Sequence, residues 1–258
     1  MAKRKGSKAP ANRQPKPAPS EQRSAAADNA TKQPAREAPK LPANGPSFRQ
    51  IKADKVTCTA GDVTMLPPTS LTVKPGENIA IVGSNGAGKT TFLRVLTGNL
   101  QPTSGSVTMD DLPIDERDAG TRRVIAPLIG PVAGYRDLTV ADHLILIDQT
   151  WGGDRDGAGE RIAAVLNRLD ILRFGNRYLA ELSSGQRQLV ELAMVLLRPS
   201  ALLVLDEPEQ RLDEDRRALL GDVLRERADA GSSVVWVCHD RELADRTATR
   251  IVRFPQGS

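Results

Sequence analysis

The sequence predicts an α/β fold: a mostly parallel sheet covered by helices, a small antiparallel β segment and an inserted helical segment. Three observations predict it. Asn78-Ile-Ala-Ile-Val82 is a compact apolar run of strand length; a glycine-rich loop follows at residues 83–88, then a helical pattern at Phe92, Leu93, Val95 and Leu96. Residues 201–205 and 233–238 are continuous apolar runs suited to central parallel strands covered on both faces, with a helical stretch at 212–230 between them. Residues 50–73 alternate apolar and polar in short runs, broken at Gly61 and Pro67-Pro68, which reads as short antiparallel strands.

The elements follow in order along 258 residues. Residues 1–46 are rich in Pro, Ala, Lys, Arg and Gln and hold no aromatic; ten Lys or Arg stand against three Asp or Glu, a net of +7. The whole chain is +4, so residues 47–258 carry about −3 and the basic balance belongs to the tail. Such a segment buries too little apolar surface to offset its ordering entropy, so it is expected to be a disordered tail, with the folded domain at 47–258. It reads as a solvated extension, as an electrostatic foot on anionic lipid, or as a nucleic-acid contact; its lack of aromatics weighs against the last.

Lys3-Arg4-Lys5 is not followed by an apolar run, so no secretory signal is read, and no stretch approaches the roughly 18 apolar residues of a membrane span. Cys58 and Cys238 lie far apart and read as buried thiols of a reducing cytosol. Residues 106–109 suit another short strand. From Thr139, a plausible N-cap, to about Arg173 the pattern is helical, with buried faces at Leu144, Ile145 and Ile147, then Ile162, Val165, Leu166 and Leu169. Residues 152–159 break it. Asp154, Asp156 and Glu160 there invite a calcium reading, but the glycine falls too early for an EF-hand loop and a solvated turn is preferred. A further helix starts near Ser184 and buries Leu189, Leu192, Ala193 and Leu196, so the helical insert spans about 139–198.

Gly83-Ser84-Asn85-Gly86-Ala87-Gly88-Lys89-Thr90 matches G-x-x-x-x-G-K-[ST] in full. Between a strand and a helix, this pattern is a phosphate-binding loop of the P-loop NTPase core. Glycines let backbone N–H groups close around a phosphate, Lys89 reaches the β- and γ-phosphates, Thr90 binds Mg²⁺, and Thr91 is the last of the nucleotide-binding residues of the loop. Residues 202–205 lead an apolar strand into Asp206-Glu207, which places carboxylates at the sheet edge beside that loop. Asp206 is expected to hold Mg²⁺ through water, and Glu207 to act as general base. His239 follows the last apolar strand; His143, the only other histidine, reads as a helix residue without a role.

Leu182-Ser183-Ser184-Gly185-Gln186 lies 94 residues beyond Lys89, counted to Ser183. This pentapeptide, with the loop, the Asp206-Glu207 strand end and His239 in this order, resembles the ATP-binding cassette (ABC) ATPases over residues from about 50 to 255. The resemblance implies an ATPase converting ATP and water to ADP and phosphate, with ATP and Mg²⁺ as ligands. His239 matches the switch histidine that contacts the γ-phosphate. Ser183, Ser184, Gly185 and Gln186 match the signature that caps ATP bound to an opposing copy. The implied partners are a second cassette, the same or related, and a multi-span membrane permease, with the chain peripheral on the inner face of the cell membrane. The end at Ser258 leaves no room for the regulatory domain of many importer cassettes, which tilts the expectation to export. The alternative is a soluble ABC ATPase acting on nucleic acid or a ribosome through its basic tail.

Three departures from the family pattern stand out. The early strand around Val56 to Gly61 lacks the aromatic that stacks on adenine, and Phe48 is the nearest one. Gly130 or a neighbour falls where the family's Q-loop glutamine would contact Mg²⁺. Arg211, in Glu209-Gln210-Arg211-Leu212-Asp213, stands where glycine is usual.

Overall fold

A computed structural model describes residues 47–255. They belong to one unit, Ala38–Ser258, and the expected tail at 1–46 lies outside the described residues. The chain opens with β1 (Ile51–Ala60) and β2 (Val63–Val73), an antiparallel hairpin turning at Gly61, whose φ of 58° suits glycine. Pro67-Pro68 does not break this segment. Both prolines lie inside β2, an edge strand paired only with β1, where a missing N–H costs no ladder bond on the open side; the register slips opposite them, between Val56 and Cys58.

Next come β3 (Asn78–Gly83), α1 (Lys89–Leu96), β4 (Ser104–Met109) and β5 (Leu112–Pro113). The sheet of β2-β1-β4-β5 is antiparallel. Then α2 (Ala119–Val124) leads into β6 (Ile125–Leu128). Neither is apparent in the hydrophobic pattern, since each is a short piece and β6 carries Pro127 on the sheet edge.

Three helices follow: α3 (Val140–Thr150), α4 (Arg155–Arg168) and α5 (Ser184–Leu196). Thr139 caps α3 as expected, its side chain accepting from Asp142 N while the Asp142 carboxylate accepts from Thr139 N. The predicted break at 152–159 is shorter than expected, because Asp154 caps α4 by accepting from Gly157 N at 2.6 Å. Arg161 bonds both Asp148 (2.7 Å) and Asp154 (2.9 Å), so these acids serve a cap and a cation. Leu144, Ile162, Val165, Leu166 and Leu169 are buried, but Ile145 is exposed: one side of α3 packs on α4 and α5 and Ile145 lies off it. Trp151, just past α3, lies under the Arg198 guanidinium, 4.0 Å from its ring centre, and Arg198 also donates to Arg122 O and Ile125 O.

The chain ends with β7 (Leu202–Asp206), α6 (Glu214–Asp229), β8 (Ser233–Val237), α7 (Arg241–Thr247) and β9 (Arg250–Phe254). The second sheet is parallel, in the order β6-β7-β8-β3-β9. Its alternate residues feed two cores. Ile79, Ile81, Leu202, Val204, Val235 and Val237 face α1 and the antiparallel sheet; Ala80, Leu203, Leu205, Val234 and Trp236 face the cluster built on α3, α5, α6 and α7. Fully burying each such aliphatic side chain contributes about 1.5–3 kcal/mol, which explains why these runs read as continuously apolar. Trp236, fully buried, donates its indole N–H to Asn78 Oδ1 at 2.8 Å and ties β8 to β3.

Candidate functional site

The loop from β3 into α1 leaves the carboxyl edge of the parallel sheet, where open α/β sheets bind ligands. The first-turn N–H groups of α1 point into the loop, and no acid stands in that turn to compete for them. Gly88 caps the helix with φ 85° and no side-chain bond; a Cβ there would lie 2.6 Å from Met65 O, so only glycine fits both the conformation and the space. Lys89 is buried, and its Nζ donates to Gly83 O and Ser84 O, each at 2.9 Å. Two of three ammonium N–H groups are used, leaving one for a phosphate oxygen. A cavity of about 1030 Å³ opens here, lined from the loop by Asn85, Gly86, Gly88, Lys89, Thr90 and Thr91.

Parallel pairing of β7 and β8 sets Asp206 against Val237, which brings Glu207 and His239 together just past the strand ends. His239 Nε2 and Glu207 Oε1 are 2.5 Å apart, with side chains 36 % and 25 % exposed, and both line the cavity. Glu207 has φ 51°, an unusual value for a non-glycine, and its N donates to Val237 O. Asp206 sits beside Thr90, which hydrogen-bonds it, and its Oδ1 is buried without a partner. Burial pushes the Asp206 carboxyl above the ordinary range, against the pull of Thr90 and Lys89. A hard divalent cation prefers oxygen ligands, so the Thr90 hydroxyl and the Asp206 carboxylate, one of whose oxygens is orphaned, fit Mg²⁺.

Ser183 caps α5: its Oγ accepts from Gln186 N, and its own N–H donates to Gln186 Oε1. Ser183, Ser184, Gly185 and Gln186 do not line the cavity that holds the loop. Gly185 instead abuts the turn after Glu207; a Cβ on it would lie 2.5 Å from Arg211 O.

The departures have structural counterparts. Phe48 is buried in the core and does not line the cavity. The cavity wall carries Val63, Thr64 and Met65 of β2 instead, with Val63 and Met65 exposed. Gly130, φ 79°, is not among the lining residues, whereas Glu209, Gln210, Arg211 and Arg217 are. Sequence reasoning did not single out Val63, Met65, Glu209 or Arg217. For the first two, alternation along β2 was the available signal, because it points both to one face. His143 lies in α3 and is buried, its ring bonding Thr139 O and accepting from Tyr135 N.

The ABC transporter family profile matches residues 66–210. The hemin import ATP-binding protein HmuV of Bradyrhizobium diazoefficiens is 35 % identical over 219 residues, covering 80 % of each chain. The sulfate/thiosulfate import ATP-binding protein CysA of Brucella melitensis biotype 1 is 37 % identical over 193 residues, covering 73 % of this chain and 54 % of its own. The dimeric structure of MJ0796, a bacterial ABC transporter cassette, superposes with TM-score 0.71 at 26 % identity, covering 79 % of this chain and 94 % of that one. Both curated relatives are named for import, so the expectation of export, drawn from the end at Ser258, finds no support and is set aside. The chain belongs to the ABC transporter family, as an ATP-binding, ATP-hydrolysing cassette subunit.

Proposed function

We propose that this chain is the energising subunit of an import-type ABC transporter, lying against the membrane beneath a separate multi-span permease. Two cassettes, identical or related, close over two ATP molecules, and hydrolysis parts them. The observation that carries this reading is the split in the site: the phosphate loop, Glu207 and His239 share one cavity, with Asp206 hydrogen-bonded to Thr90 beside it, while the capped start of α5 stands outside it. The N–H groups of that helix start favour an anion, and the loop of the same chain has its own helix start for phosphate. A second copy's γ-phosphate is the anion they serve. The arm that presents them is the segment at about 139–198, which carries α3, α4 and α5.

In the reaction, residues 83–91 hold the phosphate chain, with Lys89 on the β- and γ-phosphates. Thr90 and Asp206 would hold Mg²⁺, which would neutralise charge on the phosphate oxygens. Glu207 takes a proton from the attacking water as the water oxygen bonds to the γ-phosphorus and the β–γ bridging bond breaks, leaving ADP and phosphate. His239 holds Glu207 and the water in line. Among the described residues no helix is long and apolar enough to cross a membrane. The basic tail at 1–46 adds an electrostatic contact with anionic lipid.

Affinity purification from detergent extract tests the partner. A multi-span membrane protein should copurify with the wild-type chain; recovery of nucleic acid without one would overturn the transporter reading. Lys89→Ala should lose ATP binding by about 100-fold or more, since a buried charge-assisted contact to phosphate is removed.

A further inference from the structure

Glu209 lies two positions after Glu207, in the turn leaving β7, and is 4 % exposed although it lines the nucleotide cavity. Its Oε1 accepts a hydrogen bond from the main-chain N of His239 at 2.8 Å. Its Oε2 is buried and meets no N–H or O–H donor, and the Cys238 thiol lies against the same carboxylate. Burying a carboxylate with one main-chain N–H and a weak thiol donor for company costs the fold, so this placement is an expense that calls for a return elsewhere.

The return is visible in how the His239 main chain is held. On one side, Cys238 N donates to Ile81 O, the last hold of the strand. On the other, Asp240 begins α7, its side chain accepting from Leu243 N. Between strand end and helix cap the chain turns at His239, and its N–H is tied by Glu209. The imidazole of the same residue is then tied by Glu207. One acid grips the backbone and another the ring, so His239 is gripped at both ends.

We propose that Glu209 is a positioning residue for hydrolysis: it anchors the main chain of His239 so that the imidazole meets Glu207 before ATP arrives. This rests on the hydrolytic roles proposed for His239 and Glu207. Glu209 touches no reacting atom and acts through His239. Because a misplacement of about 1 Å can cost a catalytic site on the order of 100-fold, a main-chain anchor of this kind matters.

The test combines steady-state kinetics with ¹⁵N spectra of the imidazoles, which are readily assigned because the chain has two histidines. Glu209→Ala should lower kcat about ten-fold with KM for ATP within two-fold, and should shift the His239 ring signals while those of His143 stay in place. Glu209→Gln keeps an oxygen acceptor for the His239 N–H and should restore both kcat and the His239 signals. Wild-type kcat in Glu209→Ala, unmoved His239 signals, or a Gln variant as impaired as the Ala variant would each overturn the proposal. If Glu209→Ala fails to fold, Glu209→Asp decides: its shorter reach should lower kcat and displace the His239 signals, and wild-type values would overturn it. His239→Ala separates the two ideas, since wild-type turnover there sinks the hydrolytic role of His239, whereas the ring signals of Glu209→Ala still report on the anchor.

Discussion

His239 Nε2 lies 2.5 Å from Glu207 Oε1 although 32 positions separate them in the chain. The strands β7 and β8 lie side by side in register, so each residue leaves its strand end next to the other. Replacing Glu207 by Gln keeps the size and a hydrogen-bonding group but removes the proton acceptor. Turnover should fall by about 100-fold or more, in line with the worth of a general base, while ATP binding persists. Size-exclusion chromatography with ATP should then show an accumulated dimer; wild-type turnover would end the role given to Glu207.

Met65 and Val63 occupy the cavity wall where no aromatic is present. An aromatic at Met65 should supply the missing stacking face, worth about 1–3 kcal/mol per base by analogy with other base–aromatic contacts. Met65→Trp should therefore tighten ATP binding about five-fold or more, and should tighten GTP as well, because stacking tolerates any base. Met65→Ala should weaken it. Calorimetric titration with both nucleotides checks this, and unchanged affinities in both variants would place the base elsewhere.

Gly185 leaves no room for a methyl group, since a Cβ would lie 2.5 Å from the main-chain oxygen of Arg211. Gly185→Ala should push the start of α5 away from the turn after Glu207. ATPase activity should fall about ten-fold or more. Nucleotide binding by the isolated subunit should be unchanged, because Gly185 does not line its cavity. Loss of nucleotide binding in that variant would contradict the division of the site between two copies.

Arg211 adopts φ 64°, a left-handed conformation that costs an L-residue roughly 1–2 kcal/mol. Glycine removes that cost but gains about 0.5–1 kcal/mol of freedom in the unfolded chain. Arg211→Gly should thus stabilise the domain by about 0.5–1 kcal/mol, a rise of roughly 1–4 °C in melting temperature. Arg211→Ala keeps the strain and should show no such gain. Calorimetric melting of the two variants side by side reads the difference.

Burial pushes both cysteine thiols up, Cys238 with a further push from the neighbouring Glu209. The thiolate is the reactive form, so a raised pKa keeps each thiol protonated and inert near neutral pH. At pH 8, iodoacetamide should leave Cys58 and Cys238 unmodified in the folded protein and alkylate both after denaturation, as read by mass spectrometry. Rapid labelling of the native chain would contradict the burial.

The legible parts of this fold were those whose signal is local. Asn78 to Val82 and the loop after it declare a strand and a phosphate cradle within a dozen residues, and Leu189, Leu192, Ala193 and Leu196 declare a helix from near Ser184. What the sequence could not disclose depends on pairing. Pro67-Pro68 reads as a break until β2 proves to be an edge strand, where the missing N–H groups cost nothing. Ile145 reads as core until α3 is seen to pack along one side. Within the site, the residues at the ends of apolar strands could be read, but Glu209 could not. A charged residue after Glu207 reads as surface, and only the fold turns it inward against the His239 main chain.

The two tryptophans have an optical consequence. Trp236 is sealed in the centre of the parallel sheet, its indole bonded to Asn78, and Trp151 sits half-exposed at the end of α3 beneath a guanidinium. One emitter is therefore dry and the other partly wet. A soluble quencher should dim Trp151 and leave Trp236 glowing, so movement of the helical arm against the edge of the sheet can be followed by light without attaching a dye.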